Sequence, residues 1–124
     1  MPKTFGIGVD IEDISRFRKH LSNKNFLDRI FTRKELKHCF SKKKPEQHLA
    51  ARFAGKEAIV KSLSSLKDEL DYRNIEILNK KNGAPAVKVT DNDFDKLIIM
   101  LSLSHCDDKA IAFAAVEANY ENNQ

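Results

Sequence analysis

Residues 4–11 read Thr4-Phe5-Gly6-Ile7-Gly8-Val9-Asp10-Ile11, and the fold is decided in this stretch. Phe5, Ile7, Val9 and Ile11 alternate with Gly6, Gly8 and Asp10, the period-2 pattern of a β-strand. One face is greasy. The other is cleared of side chains around a single carboxylate, so a second backbone or a ligand can approach it closely. The strand therefore needs a partner layer, and the sequence that follows supplies helices. Ile14, Phe17 and Leu21 repeat at helical spacing behind Asp13, a candidate cap. Thr32 with Glu35 reads as a capping box opening a second short helix. Pro45 is placed to start a longer helix running to about Leu63.

Strand patterns return farther on. Ile75 to Leu78 and Ala86 to Val89 flank Asn82-Gly83, the dipeptide favoured in hairpin turns. Ile98 to Ser104 and Ala110 to Glu117 flank a polar turn through Asp107-Asp108-Lys109. Strand, helices, then two hairpins make an α+β domain, with a long central helix on a largely antiparallel sheet. No repeat or linker divides residues 1–124, so we expect one domain.

Composition narrows the functional classes. The chain is 41% hydrophobic and 32% charged, the balance of a soluble globular protein. The longest apolar run, Leu97 to Leu101, is too short to span a bilayer, and Met1-Pro2-Lys3-Thr4 opens no signal peptide. Cys39 and Cys106 build no disulfide framework and lack zinc spacing, which fits a reducing, cytoplasmic setting. The net charge of +4 conceals an asymmetry. Residues 16–44 hold eleven Lys and Arg against Asp28 and Glu35, a local balance of +9. Such a segment points to an anionic partner, nucleic acid and acidic protein being equally good readings on charge alone.

The long helix departs from a plain amphipathic pattern. Leu49, Phe53, Val60 and Leu63 share one stripe with Ile59 at its edge, yet Arg52 and Lys56 lie within that arc. Either their long side chains snorkel past apolar neighbours, or the arc walls an anion site. Glu57 lies at the arc's edge with Lys61 one turn along, which on an ordinary helix would be a surface ion pair. A helix packed through Ala50, Ala54 and Ala58 onto the glycine face would bring Glu57 near Asp10. Converging carboxylates repel unless a proton or cation relieves them, and Mg²⁺ accepts one or two carboxylates plus phosphate oxygens.

Four motifs in order then carry a resemblance over nearly the whole chain. Gly6-Ile7-Gly8-Val9-Asp10-Ile11 resembles the amino-terminal signature of the holo-(acyl carrier protein) synthases, the small phosphopantetheinyl transferases. Arg52-Phe53-Ala54-Gly55-Lys56-Glu57-Ala58-Ile59-Val60-Lys61 resembles their second signature, with Gly55 where the family usually has Ala or Ser. Asn82-Gly83-Ala84-Pro85 is similar to the family's turn before a strand, and Ser102-Leu103-Ser104-His105 to its closing motif.

The resemblance implies a phosphopantetheinyl transferase-like fold. It implies transfer of the 4′-phosphopantetheine arm of coenzyme A to a serine of apo-acyl carrier protein, releasing adenosine 3′,5′-bisphosphate, in support of fatty acid biosynthesis. By similarity, Asp10 and Glu57 hold Mg²⁺ and Lys61 steadies phosphate charge, the three forming the catalytic set. Lys43, Lys44, Arg52 and His105 are candidates for the nucleotide end, with Lys61 also touching the cofactor. The general base is Glu57 acting through a water, or a bound hydroxide. Arg16 is placed on the helix that meets the acidic carrier protein. The family's short members are trimers, which agrees with Ala110 to Val116 being apolar on both faces.

Simpler readings stand beside these. His105 could be a satisfied edge histidine, and His20, His38 and His48 read as surface residues. An RNA-binding module would use the basic segment with Phe17, Phe26, Phe31 and Phe40 to stack bases, but these phenylalanines stand at helical spacings suited to a core. A catalytically silent docking relative is disfavoured by the intact Asp10, Glu57 and Lys61 set.

Overall fold

The computed structural model describes residues 3–64, 70–90 and 94–120. Strand β1 (Lys3–Asp13) is followed by helices α1 (Ile14–Lys19), α2 (Lys24–Ile30), α3 (Arg33–Phe40) and α4 (Pro45–Leu63). A single 3-10 turn at Tyr72–Asn74 leads into β2 (Ile75–Asn79) and β3 (Pro85–Val89), then β4 (Phe94–Cys106) and β5 (Lys109–Tyr120). The strands form two antiparallel sheets, β1-β5-β4 and β2-β3, rather than one. Both predicted hairpins are present. Gly83 takes the left-handed φ of +90° that the first turn demands, and Asp107 does so at φ 51° in the second.

Gly6, Gly8 and Asp10 face inward. They stand opposite Val116, Ala114 and Ala112 of β5, which in turn face Ile99, Leu101 and Leu103 of β4. Small residues across β1 and β5 let α4 sink onto the sheet. A Cβ on Gly8 would come within 2.0 Å of the Ala58 carbonyl oxygen, and one on Gly6 within 1.9 Å of that of Ser62. Main chain therefore meets main chain, which is why these two positions carry no side chain. The greasy face of β1 points outward: Phe5, Ile7, Val9 and Ile11 are more than half exposed.

Helix α4 begins at Pro45 and ends at Leu63 as the sequence predicts, but it is buried on most sides, not along one stripe. It lies between the three-stranded sheet and a cap made by α1, α3 and β2. That placement explains Arg52 and Lys56, which neither snorkel nor line an open wall. Lys56 is fully buried, with Nζ 2.7 Å from Glu35 Oε1 and donating to the carbonyls of Tyr72 (2.8 Å) and Ile75. Burial pushes its pKa down while the Glu35 carboxylate opposes that shift. Arg52 donates Nε to the Ile77 carbonyl at 3.1 Å and a terminal nitrogen to Asn79 Oδ1.

Glu35 does more than the capping box requires. Its Oε1 accepts from the Thr32 amide at 2.8 Å, and its Oε2 from the Ile77 amide at 2.7 Å, so one buried carboxylate joins α3, α4 and β2. The expected Asp13 cap is not made. Asp13 turns to Lys109, and the α1 amide of Ile14 donates to the Asp108 carbonyl at 2.8 Å instead. Phe17 packs against Phe26, Phe31 and Phe53, at ring centroids 5.6–6.1 Å apart. Burying such a ring contributes about 1.5–3 kcal/mol. With Phe17 and Phe31 inside the core, those rings are closed to base stacking; Phe40 remains 43% exposed.

Candidate active site

Asp10 sits on the inward face of β1 where α4 crosses it. Lys61, from the last turn of α4, places Nζ 3.1 Å from Asp10 Oδ1 and 3.1 Å from the Val9 carbonyl. The other oxygen, Asp10 Oδ2, is buried and has no hydrogen-bond partner among the described residues. Glu57, one helical turn before Lys61, accepts from the Tyr72 hydroxyl. Lys61 thus reaches across to Asp10 and does not form the i,i+4 pair with Glu57.

A third carboxylate completes the group. Glu12 shares the inward face of β1 with Asp10, two residues along. Its pKa is pushed up to about 8, chiefly by burial and then by the hydrogen bond its protonated form makes to Asp10 and by the Asp10 charge, with Glu57 adding to the effect and Arg16 opposing it. Arg16 Nη1 lies 3.4 Å from Glu12 Oε1, and its guanidinium stands 5.2 Å from the centre of the Phe53 ring. A cavity of about 400 Å³, lined by Ile11, Glu12, Asp13, Arg16 and Lys109, opens beside it. The Tyr72 phenol feels all three acids and is pushed up to about 12, first by burial and then by its bond to Glu57. It therefore stays a donor at any physiological pH.

This donor set suits a hard divalent cation. Its side chains are oxygen donors, and burial together with the Asp10 carboxyl raises the pKa of Glu12 beside it. No group of three or more His, Cys, Asp or Glu side chains among the described residues is arranged to hold a metal ion. The chain offers a carboxylate pair, which is what Mg²⁺ uses when phosphate oxygens and water supply the remaining positions. The Lys61–Asp10 pair is half exposed on the lysine side and nearly buried on the aspartate side.

The nucleotide candidates are more dispersed. Lys43 and Lys44 are exposed in the loop before α4, and Lys44 occupies its N-cap position. Arg52 is buried, with two of its nitrogens committed to Ile77 and Asn79. His105 is exposed at the end of β4, with its ring edge-on to His48 at 6.3 Å, and His48 is edge-on to His38 at 6.3 Å. His38 and His48 are thus half-buried members of a ring cluster, not isolated surface residues, and His20 is stacked on Phe26 at 4.2 Å. Burial, then the Arg52 charge, lowers the pKa of both His38 and His48. Sequence reasoning missed Glu12 and Tyr72. Period-2 spacing from Asp10 could have signalled Glu12, but nothing in the sequence marks Tyr72.

Fold and site together define a small α+β protein whose central helix delivers a carboxylate and a lysine to a glycine-faced strand bearing a second carboxylate. The chain belongs to the 4′-phosphopantetheinyl transferase superfamily, whose family model matches residues 6–114. It is 41% identical over 113 residues to a holo-[acyl-carrier-protein] synthase of Thermodesulfovibrio yellowstonii, covering 90% of this chain and 96% of that protein. The corresponding protein of Protochlamydia amoebophila is 39% identical over 117 residues, covering 90% and 96%. Among solved structures, a holo-(acyl-carrier-protein) synthase from Bacillus anthracis in complex with CoA (3′,5′-ADP) superposes with a TM-score of 0.78. That structure is 32% identical and covers 92% of this chain and 96% of its own. The Helicobacter pylori synthase in complex with coenzyme A gives a TM-score of 0.73 at 29% identity, covering 87% and 96%.

Proposed function

We propose that residues 1–124 act as one phosphopantetheinyl transferase domain. It transfers the 4′-phosphopantetheine arm of coenzyme A to a serine of apo-acyl carrier protein, releasing adenosine 3′,5′-bisphosphate, in support of fatty acid biosynthesis in the cytoplasm. The observation that carries this reading is the contact of Lys61 with Asp10 across the glycine-faced packing of β1 on α4, with Glu57 one helical turn before Lys61. Asp10 and Glu57 would hold Mg²⁺. When bound, the cation neutralises charge on the pyrophosphate and on the departing nucleotide. Lys61 leaves Asp10 for a phosphate oxygen, acting as a point cation. Glu57 acting through a water, or a bound hydroxide, takes the serine proton, and alignment of serine and phosphorus supplies much of the rate.

Lys43, Lys44 and His105 receive the phosphates of the nucleotide end, and Arg52 adds positive charge from beneath. The acidic carrier protein docks on the basic segment around Arg16, which also bonds Glu12 and so connects the docking surface to the carboxylate group. The working unit is a homotrimer in which a neighbour completes the nucleotide site. The exposed apolar sheet face supports that assembly. The test is direct: incubate the protein with coenzyme A, Mg²⁺ and an apo-carrier, then weigh the carrier by mass spectrometry. Addition of the phosphopantetheine mass is expected, and an unchanged carrier mass would refute the reading.

A further inference from the structure

Two neighbouring residues of α4 grip the same 3-10 turn. Lys56 Nζ donates to the Tyr72 carbonyl at 2.8 Å, and Glu57 Oε1 accepts from the Tyr72 hydroxyl. Between these two bonds the Tyr72 ring packs edge-on against Phe53, with centroids 5.4 Å apart and planes at 63°. Lys56 is itself locked by Glu35 and the Ile75 carbonyl in a fully buried site. The phenol is thus fixed at its backbone, along its ring and at its hydroxyl, and the hydroxyl's partner is a carboxylate of the candidate cation site.

We propose that Tyr72 is a positioning residue for cation binding, fixing the Glu57 carboxylate through its hydroxyl. Donors that orient a ligating carboxylate set its angle, and their loss typically weakens metal binding by about 10- to 100-fold. Lys61 plays the matching part at Asp10, holding one oxygen. The difference is that Lys61 is half exposed and can leave, whereas Tyr72 is pinned. Glu57 therefore presents a constant geometry whether or not phosphate has arrived.

The inference rests on the assignment of Glu57 as a cation ligand, and its test reads binding and not turnover. Mn²⁺ affinity, measured by electron paramagnetic resonance, should fall about tenfold in Tyr72→Phe, which keeps the ring against Phe53. In a Glu57→Gln background the same substitution should change affinity by less than about twofold, because the two groups act as one unit. An independent measurement needs no substitution at Tyr72. The chain has two tyrosines, so Tyr120→Phe identifies the Tyr72 ring resonances, which Mn²⁺ should broaden. An unchanged or tighter Mn²⁺ affinity in Tyr72→Phe, an equal loss in both backgrounds, or sharp Tyr72 resonances with Mn²⁺ bound would each overturn the inference. If the transferase reading itself were wrong, the wild-type protein would leave apo-carrier mass unchanged, a distinct result.

Discussion

Asp10 has two oxygens in unlike surroundings, and that difference is the sharpest residue-scale feature of the site. Oδ1 accepts from Lys61; Oδ2 is buried, and the Glu12 carboxyl lies within hydrogen-bond reach of the same carboxylate. A cation bound there would relieve the repulsion between the Asp10 and Glu12 carboxylates. Asp10→Ala or Glu57→Ala should therefore cut transfer at least about 100-fold while the chain stays folded. Near-wild-type turnover at limiting Mg²⁺, with a native circular dichroism spectrum, would contradict the ligand assignment. His48 yields a pH prediction. Burial and the charges of Arg52, His38, Lys42 and His105 hold its pKa below the ordinary 6.5 in the folded chain. On acidification the unfolded chain takes up this proton first, so the group's contribution to stability is lost as pH falls below 6.5. The thermal midpoint of His48→Phe should then drop less between pH 7.5 and pH 5 than that of the wild type. An equal or steeper drop would show that His48 does not titrate as described.

At the scale of elements, the contact of β1 with α4 determines whether there is a site at all. Asp10 comes from one and Glu57 with Lys61 from the other, and only bare glycine lets the two backbones approach closely enough. A methyl group at position 8 would meet the Ala58 carbonyl at 2.0 Å and the Ser62 amide nitrogen at 2.9 Å, both main-chain atoms of α4. Such atoms cannot turn aside as a side chain would. Gly8→Ala should cost about 3 kcal/mol or more, the upper end for overpacked cores, and should also reduce transfer by shifting Lys61 from Asp10. Urea unfolding is the measurement, and a variant within about 0.5 kcal/mol of wild type would mean that the helix moves freely over the strand.

At the scale of the whole molecule, the outer face of the three-stranded sheet is an exposed apolar surface. Phe5, Ile7, Val9 and Ile11 of β1 lie beside Ile111 and Phe113 of β5, and Ile98 and Met100 of β4 extend the patch, each 39–71% exposed. A contiguous apolar face of this kind marks an interaction surface, and the three-fold assembly would cover it. Ile7→Glu should shift the protein toward monomer in light scattering and lower activity with it; a fully active monomer would defeat the trimer. Charge acts on the opposite problem, meeting the carrier. Surface charges facing an acidic partner govern encounter more than chemistry, so Arg16→Glu should raise the KM for the carrier protein about tenfold and that for coenzyme A much less. Equal rises would place Arg16 in the nucleotide pocket, a reading its contact with Glu12 makes worth testing.

The sequence by itself determined what repeats or punctuates. The alternation in β1, the Thr32–Glu35 box, Pro45 opening α4 and Gly83 in its turn are local, because backbone sterics and short-range hydrogen bonds act within a few residues. The family signatures were legible for the same reason: Asp10 and the Glu57–Lys61 pair each sit inside a contiguous motif. Only the tertiary structure decided that the greasy face of β1 is left exposed. The alanines of α4 and the glycines of β1 already pointed to packing on the bare face, but nothing local to the sequence showed that Phe5, Ile7, Val9 and Ile11 would remain outside. The same holds for Arg52 and Lys56, whose partners Asn79 and Glu35 are 27 and 21 positions away, and for Tyr72 at Glu57. Those contacts join separate elements, and their energies depend on burial, a property of the assembled core that no short window of sequence carries.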